Sequence, residues 1–485
     1  MAGAVSTLAI IQTILGYVAM LFIVAWRSSR RADNSTFFTG GRSTHRVVAA
    51  VAMVGAAMSG VTYISVPGTV LTDNFSYLQT CLGFIVGYAV IAYVLVPLYY
   101  KLGVVSLYEY LDRRFGIVAH RTGAWLFFVA KTLSASLRAY VICVVLQSIL
   151  FDHYNIPFAV NAALMMSLVW LYTRRGGVKS VVWVEMLKTV IMVGSLVAAI
   201  VVLSQAMGLG VSGSVAYIAD SDLSRIFFFD NPMEGRYFWK QFLAGIFLVI
   251  AMTGLDQDMM QTVLSCRNRR DAERSMMASV LIQVVVIILF LVLGVLLYGF
   301  AKGHDITAAG DKLFGYIATE AGLPIVVGVL FLLGLVASTY SSAGSALTAL
   351  TTSFTLDILQ SSRGGDDAHL ERTRKRVHGS VALAMMMVIL VFNHCSSSGV
   401  ITLIFTMASY TYGPLLGLFA FGILTRRSVR SATIPFIAIA SPAICYVVST
   451  NSAAWLGGYQ FSYELIILNG ALTMLGLWAC SHKKR

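Results

Sequence analysis

Charged residues are scarce in this sequence. Aspartate, glutamate, lysine and arginine make up 12% of its 485 residues, hydrophobic residues make up 58%, and the mean hydropathy is +0.79. Soluble proteins carry about 25% charged residues, so this shortage excludes a soluble globular protein. The composition instead indicates an integral membrane protein, and we expect residues 1–485 to form a single transmembrane domain.

Cysteine and histidine are also scarce, and neither is arranged for chemistry. The six cysteines are scattered with no C-x-x-C pair, which excludes a disulfide or zinc framework. The eight histidines fall in loops or near the ends of apolar segments, so none makes the helical pair that a haem or di-metal site needs. The sequence also has no P-loop and no nucleophile elbow, so we expect no enzyme.

Long apolar runs are abundant. Most lysines and arginines fall in alternate connections between these runs, which predicts an N-terminus outside and a C-terminus in the cytoplasm of a plasma (inner) membrane. The net charge of +13 is thus divided among short loops, which favours a lipid bilayer over nucleic acid as the partner. The first run lacks the basic region and cleavage site of a signal peptide, so we expect it to be retained. Hydropathy predicts about thirteen transmembrane helices, at residues 5–26, 47–70, 78–100, 122–151, 155–173, 180–205, 238–263, 275–301, 322–359, 378–394, 397–424, 431–450 and 462–481.

Two of the predicted spans are interrupted near their middle. The span at 47–70 is broken by glycines on either side of Ser59, and the span at 238–263 by Gly254 and the polar run that follows it. Glycine costs a helix interior about 1 kcal/mol relative to alanine. Unwound backbone is tolerated in hydrocarbon only where it is buried in protein or lines a wet cavity. Interrupted helices at corresponding places in two half-chains therefore indicate the binding site of a transporter.

Several ionisable residues lie inside predicted spans. Each such charge costs about 3 kcal/mol on insertion scales, so each needs a reason to be there. Glu185 and Lys188 stand three residues apart and can pair along their own helix, which is the alternative to a role in ion binding. The six residues are Lys131, Arg138, Glu185, Lys188, Asp256 and Asp258.

A stripe of serines marks the ninth span. Ser338, Ser341, Ser342 and Ser345 fall at helical positions i, i+3, i+4 and i+7, on one face. Such a stripe has two interpretations. It is either a small-residue surface for helix packing, or a set of hydroxyl ligands for sodium completed by carbonyls of an unwound helix.

The chain resembles the sodium:solute symporter family over nearly its whole length. The resemblance implies an all-α integral membrane protein with a five-plus-five inverted-repeat, leucine-transporter-like core containing two broken helices. The repeats would be 47–205 and 238–424, with 5–26 and 431–481 peripheral. The motifs that carry it are Phe37-Phe38-Thr39-Gly40-Gly41-Arg42, Ser59-Gly60 with Pro67-Gly68, Ser106-Leu107-Tyr108-Glu109-Tyr110-Leu111, Arg114-Phe115-Gly116, Gly176-Gly177-Val178-Lys179-Ser180-Val181-Val182-Trp183, Asp256-Gln257 with Gln261, and the serine stripe with Asp357-Ile358.

The resemblance also implies ion sites, with sodium as the coupled ion. The first sodium site would use Gly55, Met58, Ser338, Ser341 and Ser342. In motif the chain is nearest to sodium–sialic acid symporters, and those imply a second sodium at Glu185, Ser341 and Ser345. Two positions depart from that pattern, because Glu185 replaces an aspartate and Gly344 a serine. Lys188, one turn from Glu185, could substitute for an ion.

The same relatives imply a substrate site in which Arg138 holds a carboxylate. The expected function is sodium-coupled import of a small polar solute, such as sialic acid or another acidic sugar, by alternating access. In the alternative interpretation Arg138 is neutralised by a neighbouring carboxylate and touches no substrate. Other functions left open are symport of a neutral sugar, polyol or amino acid, a membrane solute sensor, and a channel. The predicted substrate-binding residues are Ser59, Thr62, Tyr63, Arg138, Asp256, Gln257 and Tyr410.

Overall fold

The computed structural model describes residues 7–29, 33–360, 366–395 and 400–482, and it is almost entirely helical. The residues at 5–6 and 397–399 of two predicted spans lie outside this part of the chain. Two short strands, β1 (Ser428–Val429) and β2 (Ser481–His482), pair antiparallel. The α-helices are α1 Thr7–Ser29, α2 Asn34–Thr39, α3 Arg46–Ala57, α4 Gly60–Gly68, α5 Val70–Asp73, α6 Tyr77–Val90, α7 Val96–Leu102, α8 Glu109–Phe115, α9 Ile117–Leu146, α10 Phe158–Ala206, α11 Val211–Ala219, α12 Phe238–Val249, α13 Gln257–Leu264, α14 Arg269–Gly303, α15 Leu313–Thr319, α16 Ile325–Ser353, α17 Asp367–Cys395, α18 Val400–Thr411, α19 Gly413–Leu424, α20 Ile434–Trp455 and α21 Leu465–Ala479.

Eight of the described helices are long and apolar enough to cross a membrane, and ten if each of two bent pairs is one span. In this count α10 is a single membrane span, although it has 49 residues, about twice the length that a bilayer needs. Gly177 interrupts it with φ 47° and ψ −132°, and the predicted spans 155–173 and 180–205 lie on either side. The all-helical membrane fold is confirmed, whereas the count of thirteen spans and the orientation of the termini stay predictions.

The two predicted broken helices are confirmed. Helices α3 and α4 meet at 61°, and the segment Phe238–Gly254 meets α13 at 68°. At the first break Met58 and Ser59 are extended, with φ −101° and −117°. At the second, Asp256 is extended and its carboxylate accepts the N–H of Asp258 at 2.9 Å, which caps α13. Both breaks therefore leave backbone groups and polar side chains inside the bundle.

The broken helices lie in the middle of the packing. Helix α3 packs against α10, α14 and α16, and α4 against α9, α14 and α16. Helix α13 packs against both α3 and α16, so the two breaks face a common interior. This arrangement gathers the intramembrane charges of α9, α10 and α13. The bounds of the two repeats stay a prediction.

Helix α3 approaches α10 closely at Gly55. A Cβ atom added to Gly55 would lie 2.6 Å from the carbonyl oxygen of Glu185. We expect Gly55→Ala to lower the free energy of unfolding by about 1–3 kcal/mol, because overpacking forces the two helices apart. The measurement is the thermal midpoint of the purified protein in detergent. Gly194→Ala is the matched control, since nothing lies within 4 Å of that added Cβ on α10; equal midpoints for the two variants would contradict the close approach.

Candidate binding site between the broken helices

A partly open cavity lies next to the first break; we call it the central cavity. Its walls come from the break between α3 and α4, from α6, α9, α12 and α14, and from both sides of the second break. It is mostly apolar, with a few polar groups, which is typical of a site for a small organic molecule. The polar and charged residues of its lining are Ser59, Thr62, Tyr77, Tyr88, Lys131, Ser134, Arg138, Thr253, Asp256, Gln283 and Tyr412.

Arg138 is a half-buried cation in the wall of the central cavity. Among the described residues it has no carboxylate within ion-pair distance, and its Nε atom makes no hydrogen bond. Ser59 and Thr62 line the same cavity, and the hydroxyl oxygen of Thr62 accepts the N–H of Ser59 at 3.2 Å. The structure therefore brings Arg138 and these two hydroxyls into one chamber.

Asp256 is already paired with another residue, Lys131. The Lys131 ammonium lies 3.1 Å from Asp256 Oδ2 and 2.7 Å from Asp258 Oδ2, and all three side chains are buried. The Tyr412 hydroxyl donates to Asp256 Oδ2 at 2.6 Å. Asp256 thus serves as a helix cap and as one arm of a buried charge cluster. The structure contains no Arg138–Asp256 ion pair among the described residues.

The Lys188 ammonium lies where the first sodium was predicted; we call this the first cation position. Lys188 Nζ donates to the carbonyl oxygen of Gly55, to Ser342 Oγ at 2.9 Å and to Glu185 Oε2 at 3.1 Å. The remaining predicted ligands lie close by in the chain. Met58 N–H donates to the same Gly55 carbonyl at 3.2 Å, and the Ser338 carbonyl accepts the hydroxyl of Ser342 at 2.8 Å.

Three buried oxygens near this position make no well-aligned hydrogen bond with the described residues. They are Glu185 Oε1, Asp258 Oδ1 and Ser341 Oγ. Ser345 Oγ donates to the other Asp258 oxygen, at 3.4 Å. We call Glu185, Ser341, Ser345 and Asp258 the second cation position. Buried polar atoms are nearly always hydrogen-bonded, so three such oxygens in one region indicate a missing partner such as a cation.

A narrow pocket lies between the serine stripe and the central cavity. It is lined by Asp258, Ser342 and Ser345 on one side. Ser59 and Arg138 line it as well as the central cavity. An ion beside the serine stripe would therefore lie next to Arg138, the cation that faces the central cavity.

The intramembrane charges of these regions are equal in number. Lys131, Arg138 and Lys188 are basic, and Glu185, Asp256 and Asp258 are acidic. With all six ionised, their formal sum is zero without any ligand. A bound anion would leave one negative charge in excess, and one added cation would restore the balance.

Comparison with known proteins decides the family. The sequence profile described as the sodium:solute symporter family matches residues 37–434, more than three quarters of the chain. This chain belongs to the sodium:solute symporter family. The family is one of multi-pass membrane transporters rather than of enzymes.

The individual relatives of this family member are distant in sequence. The chain is 24% identical over 420 residues to the sodium-coupled monocarboxylate transporter 1 of Xenopus laevis, covering 82% of this chain but only 64% of that longer protein. It is 22% identical over 454 residues to the sodium/sialic acid symporter SiaT of Proteus mirabilis, covering 89% and 88% of the two chains. A solved structure described as a substrate-bound, outward-open Na⁺-coupled sialic acid symporter superposes with a TM-score of 0.80 at 19% identity, covering 97% and 96%. That likeness shows that the fold is shared.

Three of the residues predicted to bind substrate lie outside the lining of the central cavity. The Gln257 amide accepts the N–H of Leu107 and donates to the carbonyl of Val105, both at 3.0 Å. Tyr63 shares a hydrogen bond of 2.9 Å with Ser195. Tyr410 has its ring 6.3 Å from that of Tyr446. The contacts of Gln257 and Tyr63 hold helices and loops together.

Other residues of the site were missed. Tyr412 lines the cavity instead of Tyr410. The helical hydrogen bonds continue from α18 into α19 through Tyr412, so two residues that are two positions apart lie on different faces of the same helical backbone. Lys131 and Asp258 were noticed as intramembrane charges but were not assigned to the site. The signal that links them is the free-energy cost of burying a lysine without a partner. Carboxylates on the second broken helix can offset that cost.

Proposed function

We propose that the protein is a sodium-coupled secondary transporter that imports a small carboxylate, such as sialic acid or another acidic sugar, by alternating access. The observation that carries this proposal is Arg138, a cation without a carboxylate partner in the wall of a cavity between two broken helices. A guanidinium grips a carboxylate with two parallel hydrogen bonds, which makes arginine suited to such a substrate. Ser59 and Thr62 supply hydroxyls in the same chamber.

The names of the relatives support an anionic substrate. One relative is named for monocarboxylates and another for sialic acid.

Sodium coupling is supported by the second cation position. Its unpartnered oxygens come from two carboxylates and a serine hydroxyl, the hard ligands that a sodium ion prefers. Because the six charges around the central cavity and the two cation positions sum to zero without ligand, binding of a carboxylate favours entry of one cation. Sodium and substrate would then bind more tightly together than apart.

A thermal-shift screen with and without sodium tests the proposal. We expect sialic acid, but not its methyl ester, to raise the unfolding midpoint of the purified protein in sodium, and to raise it much less in choline, because ligand binding to the folded state stabilises it. Glucose, mannitol and glycine serve as neutral or zwitterionic competitors. Stabilisation by one of these, with none by any acid, would contradict the carboxylate substrate. Sialic acid uptake into proteoliposomes that persists after collapse of the sodium gradient would indicate a channel, and binding without uptake would indicate a sensor.

Ser341 allows a separate test of the sodium site. We expect Ser341→Ala to raise the half-saturating sodium concentration for uptake at least tenfold, because it removes one of the few oxygens of the second cation position. Ser136→Ala is the matched control, since Ser136 is buried and its hydroxyl also lacks a hydrogen bond, but it lines neither cavity. An equal sodium dependence in both variants would remove Ser341 from the proposed site.

A further inference from the structure

Lys188 is fully buried and its ammonium is saturated with acceptors. An ammonium has three N–H donors. Here they meet the Gly55 carbonyl, Glu185 Oε2 at 3.1 Å and Ser342 Oγ at 2.9 Å. The three acceptors belong to three different helices, α3, α10 and α16. Lys188 therefore ties the first broken helix to the serine stripe.

Pairing with Glu185 alone does not account for this geometry. Two residues at i and i+3 can form an ion pair on one helix without contacting any other element. The other two contacts of Lys188 are to residues 133 and 154 positions away in the chain. The Gly55 carbonyl also lies in the last turn of α3, where the helix dipole favours a positive charge.

We propose that Lys188 is a built-in cation that takes the place of sodium at the first cation position. Two of the five residues predicted to bind sodium, Gly55 and Ser342, direct their oxygens at its ammonium instead. The lysine supplies what an ion would supply there: one positive charge, shared between the C-terminal end of α3 and the hydroxyl face of α16. Because the same oxygens cannot hold both cations, sodium is excluded while the ammonium is bound.

If the protein transports as proposed above, a cation that is attached to the chain changes the number of ions that move with the substrate. Sodium can leave its site with the substrate, whereas Lys188 stays attached to α10. The first cation position therefore carries no sodium across the membrane. Only the second cation position is left for the coupled ion, so one sodium accompanies each substrate.

The test compares Lys188→Ala with the double variant Lys188→Ala/Ser342→Ala. Alanine opens the first cation position and leaves Glu185 without its lysine. We expect sodium, but not potassium or choline, to stabilise Lys188→Ala more strongly than the wild type in a thermal-shift titration. This gain should be lost in the double variant. In the wild type, Ser342→Ala should change the half-saturating sodium concentration less than twofold, because Ser342 contacts Lys188 rather than sodium.

Two further variants keep the test decisive if Lys188→Ala cannot be purified even in sodium. Glu185→Gln/Lys188→Ala removes the unpaired carboxylate as well, and should still gain a sodium response that depends on Ser342. Lys188→Met fills the space with an uncharged chain and should gain none. The proposal is overturned if Ser342→Ala weakens sodium binding to the wild type tenfold, or if neither alanine variant gains a sodium response.

The failure of this proposal is distinguishable from failure of the proposed function. The thermal-shift comparison uses sodium alone and needs no substrate. If the protein transports no carboxylate but Lys188→Ala still gains a sodium response through Ser342, the built-in cation stands. In a transporting protein, the sodium-to-substrate ratio from paired tracer uptake of sodium and substrate should rise by one in Lys188→Ala, and an unchanged ratio in a variant that binds the extra ion would contradict the assignment.

Discussion

Replacement of Arg138 by glutamine should weaken binding of the proposed carboxylate substrate about 30-fold or more while the protein stays folded. Truncating one partner of a desolvated charge pair costs about 2–5 kcal/mol, which corresponds to factors of that size. The fold should survive because Arg138 has no ion pair among the described residues, so its removal leaves no carboxylate of the protein unpaired. The measurement is the dissociation constant for sialic acid from a thermal-shift or calorimetric titration, with the unfolding midpoint recorded alongside it.

Two comparisons sharpen the Arg138 test. Arg138→Lys should rescue binding only slightly, because one ammonium lacks the two-pronged geometry of a guanidinium. The methyl ester of sialic acid should bind wild type poorly, since it would leave the guanidinium without its charged partner. The ester should bind wild type and Arg138→Gln about equally. An Arg138→Gln protein that keeps full affinity for the acid would make Arg138 a structural residue, and the carboxylate part of the proposed function would fall.

Lys131→Met should be the most destabilising single substitution in the bundle. It leaves Asp256 and Asp258 as two buried carboxylates without their cation, which costs about 3–5 kcal/mol for a broken buried pair. Removing one of those carboxylates at the same time, in Lys131→Met/Asp258→Asn, should recover a large part of the loss. Both effects can be read from unfolding midpoints and from the yield of monodisperse protein in detergent.

Lys240→Met is the matched control for Lys131→Met. Lys240 is also largely buried, at 8% exposure, but its ammonium contacts the carbonyl of Met233 and the ring of Tyr459 rather than a carboxylate at ion-pair distance. We expect its replacement to change the midpoint little. A loss of stability as large as that of Lys131→Met would show that burial of the lysine stem, and not the charge cluster, stabilises this part of the bundle.

The breaks in the two helices could be predicted because their cause is local. Glycines flanking Ser59, and Gly254 followed by Asp256, weaken helix propensity within a few residues of the bend itself. The structure bends the chain at both places. The gathering of charges near them follows from the same reasoning, since an ionisable side chain in a membrane bundle must face the interior.

The partners of those charges could not be predicted, because they depend on packing between distant segments. The sequence shows that Glu185 lies one turn from Lys188, but it does not show that the Lys188 ammonium reaches Gly55 and Ser342. Tyr410 and Tyr412 show the same dependence on packing. They lie on different faces of a nearly continuous helical backbone, and the packing of α18 and α19 decides that Tyr412 faces the cavity.

The balance of the six charges around the central cavity and the two cation positions bears on how the protein would respond to voltage. A net charge moving across the bilayer gains or loses about 2.3 kcal/mol per 100 mV of membrane potential. In the proposed cycle these six charges sum to zero in the empty protein, and one sodium and one carboxylate together add no net charge. Neither the inward nor the return step should then produce a current, and the sodium concentration ratio alone should set how far the substrate is accumulated.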